Sequence, residues 1–152
     1  MPVRIATLGD LKAIADLVEF HAYPELNWKH ATFSRRATLA TAKQFILSPD
    51  NEVFLAVKDD QIVGYAFCLI SRYFFSEQLF GADLSFYVKP EARGGFLGAS
   101  MIRKMKRYLK EKGALELFLT INSGVDVDNT VKLSKSLGAE NLGSSLSLKI
   151  KG

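Results

Sequence analysis

The stretch Leu84-Ser85-Phe86-Tyr87-Val88-Lys89-Pro90-Glu91-Ala92-Arg93-Gly94-Gly95-Phe96-Leu97-Gly98-Ala99-Ser100-Met101-Ile102-Arg103-Lys104-Met105-Lys106-Arg107-Tyr108 decides the fold. Its opening, Leu84 to Val88, is a β-branched and aromatic run that predicts a mostly buried strand. Pro90 lacks a backbone donor and pushes Lys89 away from helical dihedrals, so the strand stops there. After the turn Arg93-Gly94-Gly95-Phe96-Leu97-Gly98, apolar residues recur at Leu97, Met101, Met105, Tyr108 and Leu109, the spacing of one helix face. Strand, glycine turn and helix in that order leave the first N–H groups of the helix without partners. With the helix dipole they make a site for a phosphate or diphosphate. Glycines let such an anion approach the backbone closely, and Arg93 adds a permanent charge at the rim.

Outward from this stretch, charge is unevenly placed. Residues 89–112 hold eight basic and two acidic side chains, a local charge of +6 against +4 for the whole chain. A basic region beside a diphosphate turn suits a polyanionic ligand. Arg103, Lys104, Arg107 and Lys110 also lie opposite the apolar stripe, where they complement the helix C-terminus. No aromatic residues interleave on that face, which argues against a nucleic-acid surface.

The length of 152 residues, with 48% hydrophobic and 24% charged, suits one soluble globular domain covering residues 1–152. The longest apolar stretch, Ile62 to Ile70, is about half of a membrane span. Met1-Pro2-Val3-Arg4 lacks the apolar core of a signal peptide, and a single cysteine, Cys68, excludes an internal disulfide. Both features fit a cytoplasmic protein. Two histidines and one cysteine at unrelated spacings exclude a zinc site of ordinary kind, and no Gly-x-Ser-x-Gly elbow is present.

In chain order, a strand is expected at Val3 to Ala6. Thr7 with Asp10 three residues later is a capping-box pattern that opens a helix with Leu11, Ile14 and Val18 on one face. His21 to Phe33 mixes aromatic and polar residues without a period and predicts a loop. Ser34 to Leu47 predicts a second helix. Val53–Val57 and Ile62–Ile70 flank the polar turn Lys58-Asp59-Asp60-Gln61 as a hairpin. Arg72 to Gly81 predicts a loop with Tyr73, Phe74 and Phe75 exposed. Beyond the central stretch come a strand at Leu115–Ile121, a short helix at Asn129–Ser136 closed by Gly138, and a last strand at Ser145–Ile150.

The run Val88-Lys89-Pro90-Glu91-Ala92-Arg93-Gly94-Gly95-Phe96-Leu97-Gly98 resembles the acetyl-CoA signature of the GNAT superfamily of N-acetyltransferases. There a strand ending in Val-x-Pro runs into Arg/Gln-x-x-Gly-x-Gly/Ala at a helix start. Arg93 and Gly98 match the outer positions, Phe96 stands at the middle glycine, and Gly95 lies one residue earlier, a variant similar to that of small phage- and prophage-borne members. Leu55-Ala56-Val57 with Asp59-Asp60-Gln61-Ile62-Val63-Gly64-Tyr65 resembles the family's second and third strands. The element order β-α-α-β-β-β-α-β-α-β is similar to the GNAT succession along nearly the whole chain. The resemblance implies a mixed α/β (α+β) fold of GNAT type.

It also implies a chemistry: acetyl-CoA as cofactor and a primary amine, on a small molecule or a peptide, as acceptor. By position Arg93, Gly94, Gly95, Phe96, Leu97, Gly98 and Ala99 would hold the CoA pyrophosphate. Phe86, Tyr87 and Val88, on a strand that splays from its neighbour in the family, would present backbone N–H groups to the thioester, with Val88 first among them. Asp83 stands where some members carry an acidic residue serving as base; Glu25, His21 and His30 are further candidates in the first loop. The family's tyrosine acid, in the pattern Leu-Tyr-x-x-x-Gly-Phe, is replaced in Leu133-Ser134-Lys135-Ser136-Leu137-Gly138-Ala139 by Ser134, with Tyr87 and Tyr108 as alternative donors. Asn129 is placed to reach the pantetheine arm or to cap its helix. Members often form homodimers, and no membrane association is implied. Two other readings stay open: a non-catalytic module of this fold that binds CoA or a partner, and a nucleic-acid-modifying relative.

Overall fold

Five strands form one mixed sheet whose spatial order is the order of the chain: β1 (Val3–Ile5), β2 (Glu52–Lys58), β3 (Gln61–Arg72), β4 (Leu79–Val88) and β5 (Ala114–Phe118). The first four are antiparallel, and β5 runs parallel to β4. The computed structural model describes residues 2–26, 28, 30–120 and 127–150. The β2–β3 hairpin turns on Asp59 and Asp60, both left-handed with φ of 51° and 61°. That pair of dihedrals matches the right-handed twist of the strands it joins, and aspartate tolerates it.

The first helix opens as the sequence predicts. The Asp10 carboxylate accepts the Thr7 N–H at 2.8 Å and both arms of Arg4, which hold it down at about 2. A short 3₁₀ turn leads into α1 (Leu11–Leu17). The expected loop from His21 begins later than predicted. A π-helical turn, Val18–Ala22, and one more helical turn, α2 (Tyr23–Glu25), carry the backbone on to Glu25. Pro24 lies within this helical run without ending it, and the Leu26 N–H still donates to the Ala22 carbonyl at 2.8 Å. Helix α3 (Arg35–Leu47) starts at Ser34, whose hydroxyl accepts the Ala37 N–H at 3.1 Å.

Alternation along β2 divides the core in two. Phe54 and Ala56 face Met101, Met105 and Leu109 of α4 (Leu97–Glu111), while Val53 and Leu55 face Ile14, Leu17, Ala42 and Phe45 of α1 and α3. Cys68 is buried on the α4 side, and burial pushes its thiol up to about 12. The chain closes with α5 (Val127–Ser136) packed on α4.

Two expectations at the C-terminal end are corrected. The strand predicted to reach Ile121 ends at Phe118, and Ile121 lies outside the described residues. Ser145–Ile150 form no strand. Leu146, Leu148 and Ile150 are 95%, 86% and 92% exposed. Alternation selects a strand only where an edge and a covering face adjoin it, and none does so here among the described residues.

Candidate functional site

The site begins where β4 and β5 part. Their last ladder position pairs Ala82 with Phe118, so β4 continues from Asp83 to Val88 with no strand on that side among the described residues. Lys89 donates to the Val63 carbonyl across the Gly64–Val88 pair at 2.8 Å. That bond makes Gly64–Val88 a non-hydrogen-bonded pair, so the N–H and C=O of Val88 point away from β3. Alternation gives Phe86 the same direction, whereas the polar groups of Tyr87 face β3. Of the three residues expected to offer N–H groups, Phe86 and Val88 therefore do so into the opening between the strands. A groove of about 470 Å³ fills that opening, walled by β4, the glycine turn and α5.

At its far end lies the turn. Gly94 has φ of +81°, and a Cβ built on Gly94 or Gly95 would meet nothing within 4 Å. The backbone is bare toward the groove. A Cβ on Gly98 would meet Leu133 of α5 at 3.1 Å, so that glycine lets the helices approach. The first intrahelical bond of α4 runs from Ser100 N to Phe96 O at 2.8 Å, which leaves the N–H groups of Leu97, Gly98 and Ala99 without helical partners. Phe96 caps the helix, 63% exposed, and does not line the groove; Leu97 and Ala99 are buried in the wall behind it. Bare backbone and uncommitted N–H groups at a helix start fit a diphosphate.

Asp83 is buried, 6% exposed, at the vertex. Its Oδ1 accepts the Thr120 N–H at 2.8 Å and the Thr120 hydroxyl at 2.9 Å. Burial raises its carboxyl to about 6, with the Thr120 bonds pulling the other way. A second, much smaller cavity of about 30 Å³ lies against Trp28, Leu84 and Ser85, and Asp83 lines both spaces.

The family model described as "Acetyltransferase (GNAT) family" matches residues 17–138. The chain belongs to the GNAT acetyltransferase family. No curated protein matches it. Among solved structures, a transcriptional regulator from Bacillus halodurans C-125 is similar at TM-score 0.78 and 18% identity, over 97% of this chain and 98% of that one. A ribosomal-protein-alanine N-acetyltransferase from Brucella melitensis biovar Abortus 2308 is similar at TM-score 0.72 and 19% identity, over 99% and 100%. An aminoglycoside acetyltransferase, meta-AAC0020, from an uncultured soil metagenomic sample in complex with sisomicin reaches TM-score 0.73 at 20% identity, over 98% and 95%. At these identities the likeness is one of fold.

Within this GNAT domain the remaining candidates fall into place unevenly. Ser134 and Asn129 line the groove from α5. Ser134 is buried, and its hydroxyl donates to the Thr130 carbonyl one helical turn back at 2.9 Å. Tyr87 points to the α1 side, where its hydroxyl donates to Glu25 at 2.9 Å; burial first, then that carboxylate, raises its pKa. Tyr108 lies elsewhere, with its hydroxyl on the Asp50 carbonyl. Glu25 is engaged by Arg93 at 2.6 Å. Arg103, Lys104, Arg107 and Lys110 make no ion pair among the described residues. No described helix is long and apolar enough to cross a membrane. Thr120, Leu26 and Trp28 escaped the sequence reading. Thr120 follows its strand without a motif, and the other two lie in a segment without a period.

Proposed function

We propose that this protein transfers the acetyl group of acetyl-CoA directly to a primary amine. One observation carries the reading: on its β5 side β4 has no partner strand from Asp83 on among the described residues, and the groove so opened runs from the bare glycine turn to that carboxylate. The N–H groups of residues 94–99 would hold the diphosphate. Asn129 would meet the pantetheine arm from α5. Bound there, acetyl-CoA supplies an activated acyl group whose C–S bond breaks as a C–N bond to the amine forms.

The chain's own residues supply the rest. The N–H groups of Phe86 and Val88, fixed by β3 behind them, are aimed at the charge that develops on the acyl oxygen and need no reorganisation. Asp83 takes a proton from the incoming ammonium; a carboxyl near 6 is ionised at neutral pH and more basic than an ordinary aspartate. The Ser134 hydroxyl, which stands at the family's tyrosine position in the sequence, would turn from the Thr130 carbonyl to hydrogen-bond the leaving thiolate, and the thiolate takes its proton from water. Leu26 and Trp28 shape the acceptor side. The acceptor is a small molecule or a peptide terminus, and the family's homodimer is carried in the same proposal, read by sedimentation.

The test incubates the protein with acetyl-CoA and a panel of primary amines, from polyamines and aminoglycosides to peptide N-termini. Free thiol is followed, and the acetylated product is identified by mass. Amine-dependent thiol release is expected. Cofactor binding without release on any amine would favour the non-catalytic reading.

A further inference from the structure

Arg93 is the one cation among the described residues lining the groove, and it begins the turn that takes the diphosphate. Its guanidinium is nevertheless turned aside. Nη2 reaches both carboxylate oxygens of Glu25, at 2.8 and 2.6 Å, and Nε donates to the Val88 carbonyl at 2.8 Å. The group also lies over the Tyr87 ring, 5.5 Å from its centre, and Tyr87 donates its hydroxyl to the same Glu25. Both charged side chains are about a quarter exposed, 28% and 23%, so solvent screens the pair incompletely. Glu25 comes from α2, on the acceptor side of the sheet, and is carried there by the π-helical turn Val18–Ala22. Such turns are frequent at functional sites.

We propose that Glu25 restrains Arg93 and so sets the affinity for the cofactor below what the groove could reach. This rests on reading the groove as the CoA site. With Glu25 in place the charge at the turn is balanced, and the diphosphate is held by backbone N–H groups alone. Without it, the same guanidinium carries an unbalanced positive charge beside a polyanion and is free to rotate toward it. A purely structural Glu25 would have the opposite signature: its loss would loosen the turn and weaken binding.

The experiment is calorimetric titration of coenzyme A into the full chain for wild type, Glu25→Gln, Glu25→Ala and the double variant Glu25→Gln/Arg93→Gln. The glutamine introduced by Glu25→Gln is isosteric and still accepts from Tyr87 and Arg93, which preserves the fold. Both single variants are expected to bind roughly three- to tenfold tighter at low salt, the scale of one charge-assisted contact under partial screening. The gain should shrink as salt rises and vanish in the double variant. Unchanged or weaker binding in Glu25→Gln, with wild type binding normally, overturns the restraint and leaves the function intact. Loss of fold in both single variants makes Glu25 structural and overturns it too. No binding by wild type overturns the functional reading and the restraint with it.

Discussion

Asp83 and Thr120 are joined through one carboxylate oxygen, which accepts the backbone N–H of Thr120 at 2.8 Å and its hydroxyl at 2.9 Å. The bond stands just past the last ladder pair of β4 and β5, Ala82 with Phe118. A side chain thus takes the donor that a continuing sheet would have used, and the strands separate without leaving that N–H unpaired. The same contact sets the split in the sheet and the ionisation of the group at its vertex.

The first prediction concerns stability against pH. Burial lifts the folded Asp83 carboxyl from 3.8 to about 6, so between these values the folded chain keeps a proton that the unfolded chain has released. Stability from this group therefore falls as pH rises through the window and is level above it, a total of about 3 kcal/mol. Asp83→Asn accepts the same two bonds and carries no such proton. Urea midpoints of wild type minus variant should decline from pH 4 to 6; a level difference would deny the buried carboxyl its raised pKa.

The second concerns turnover. The rate should rise with pH through an acid limb near 6, set by Asp83. In Asp83→Asn that limb should disappear and kcat fall about a hundredfold or more, the range of a lost general base. A variant within a few-fold of wild type would assign amine deprotonation to water.

Gly64 packs under the end of β4. A Cβ there would meet the Tyr87 carbonyl at 2.8 Å, a backbone atom that cannot step aside alone. Gly64→Ala should cost about 1 to 3 kcal/mol in urea unfolding. It should also weaken acetyl-CoA binding, because the strand displaced is the one that carries Phe86 and Val88. Destabilisation with unaltered binding would separate the strand end from the site.

Ser134→Ala removes a hydroxyl already committed to the Thr130 carbonyl. The expected loss in kcat is less than about tenfold, since serine is a weak acid and water reaches the groove. A loss above a hundredfold would make this hydroxyl the thiolate's required proton source.

What is legible in the sequence follows from how local the signal is. Val88-Lys89-Pro90 and the glycine turn act within a few residues, so the end of β4, the bare backbone and the start of α4 can all be read directly. The Thr7–Asp10 cap and the Asp59-Asp60 turn are equally local. Sequence alone places Glu25 in a loop facing the acceptor; its ion pair spans 68 positions and depends on a π turn that no periodicity announces. Thr120 meets Asp83 only because a parallel strand arrives through α4. Ser145–Ile150 depart from expectation for the complementary reason. Their alternation describes a face, and a face becomes a strand only when another edge meets it.

The most direct measurement is thermal unfolding with and without acetyl-CoA, in wild type and in Gly95→Val. A Cβ at Gly95 has open space, so the substitution should leave the unliganded midpoint nearly unchanged while filling the cradle. Ligand at about 100 times its dissociation constant should add roughly 2.7 kcal/mol to wild type, a shift of several degrees, and almost nothing to the variant. Equal shifts in the two proteins would put the cofactor elsewhere, and no shift in wild type would contradict the account at its root.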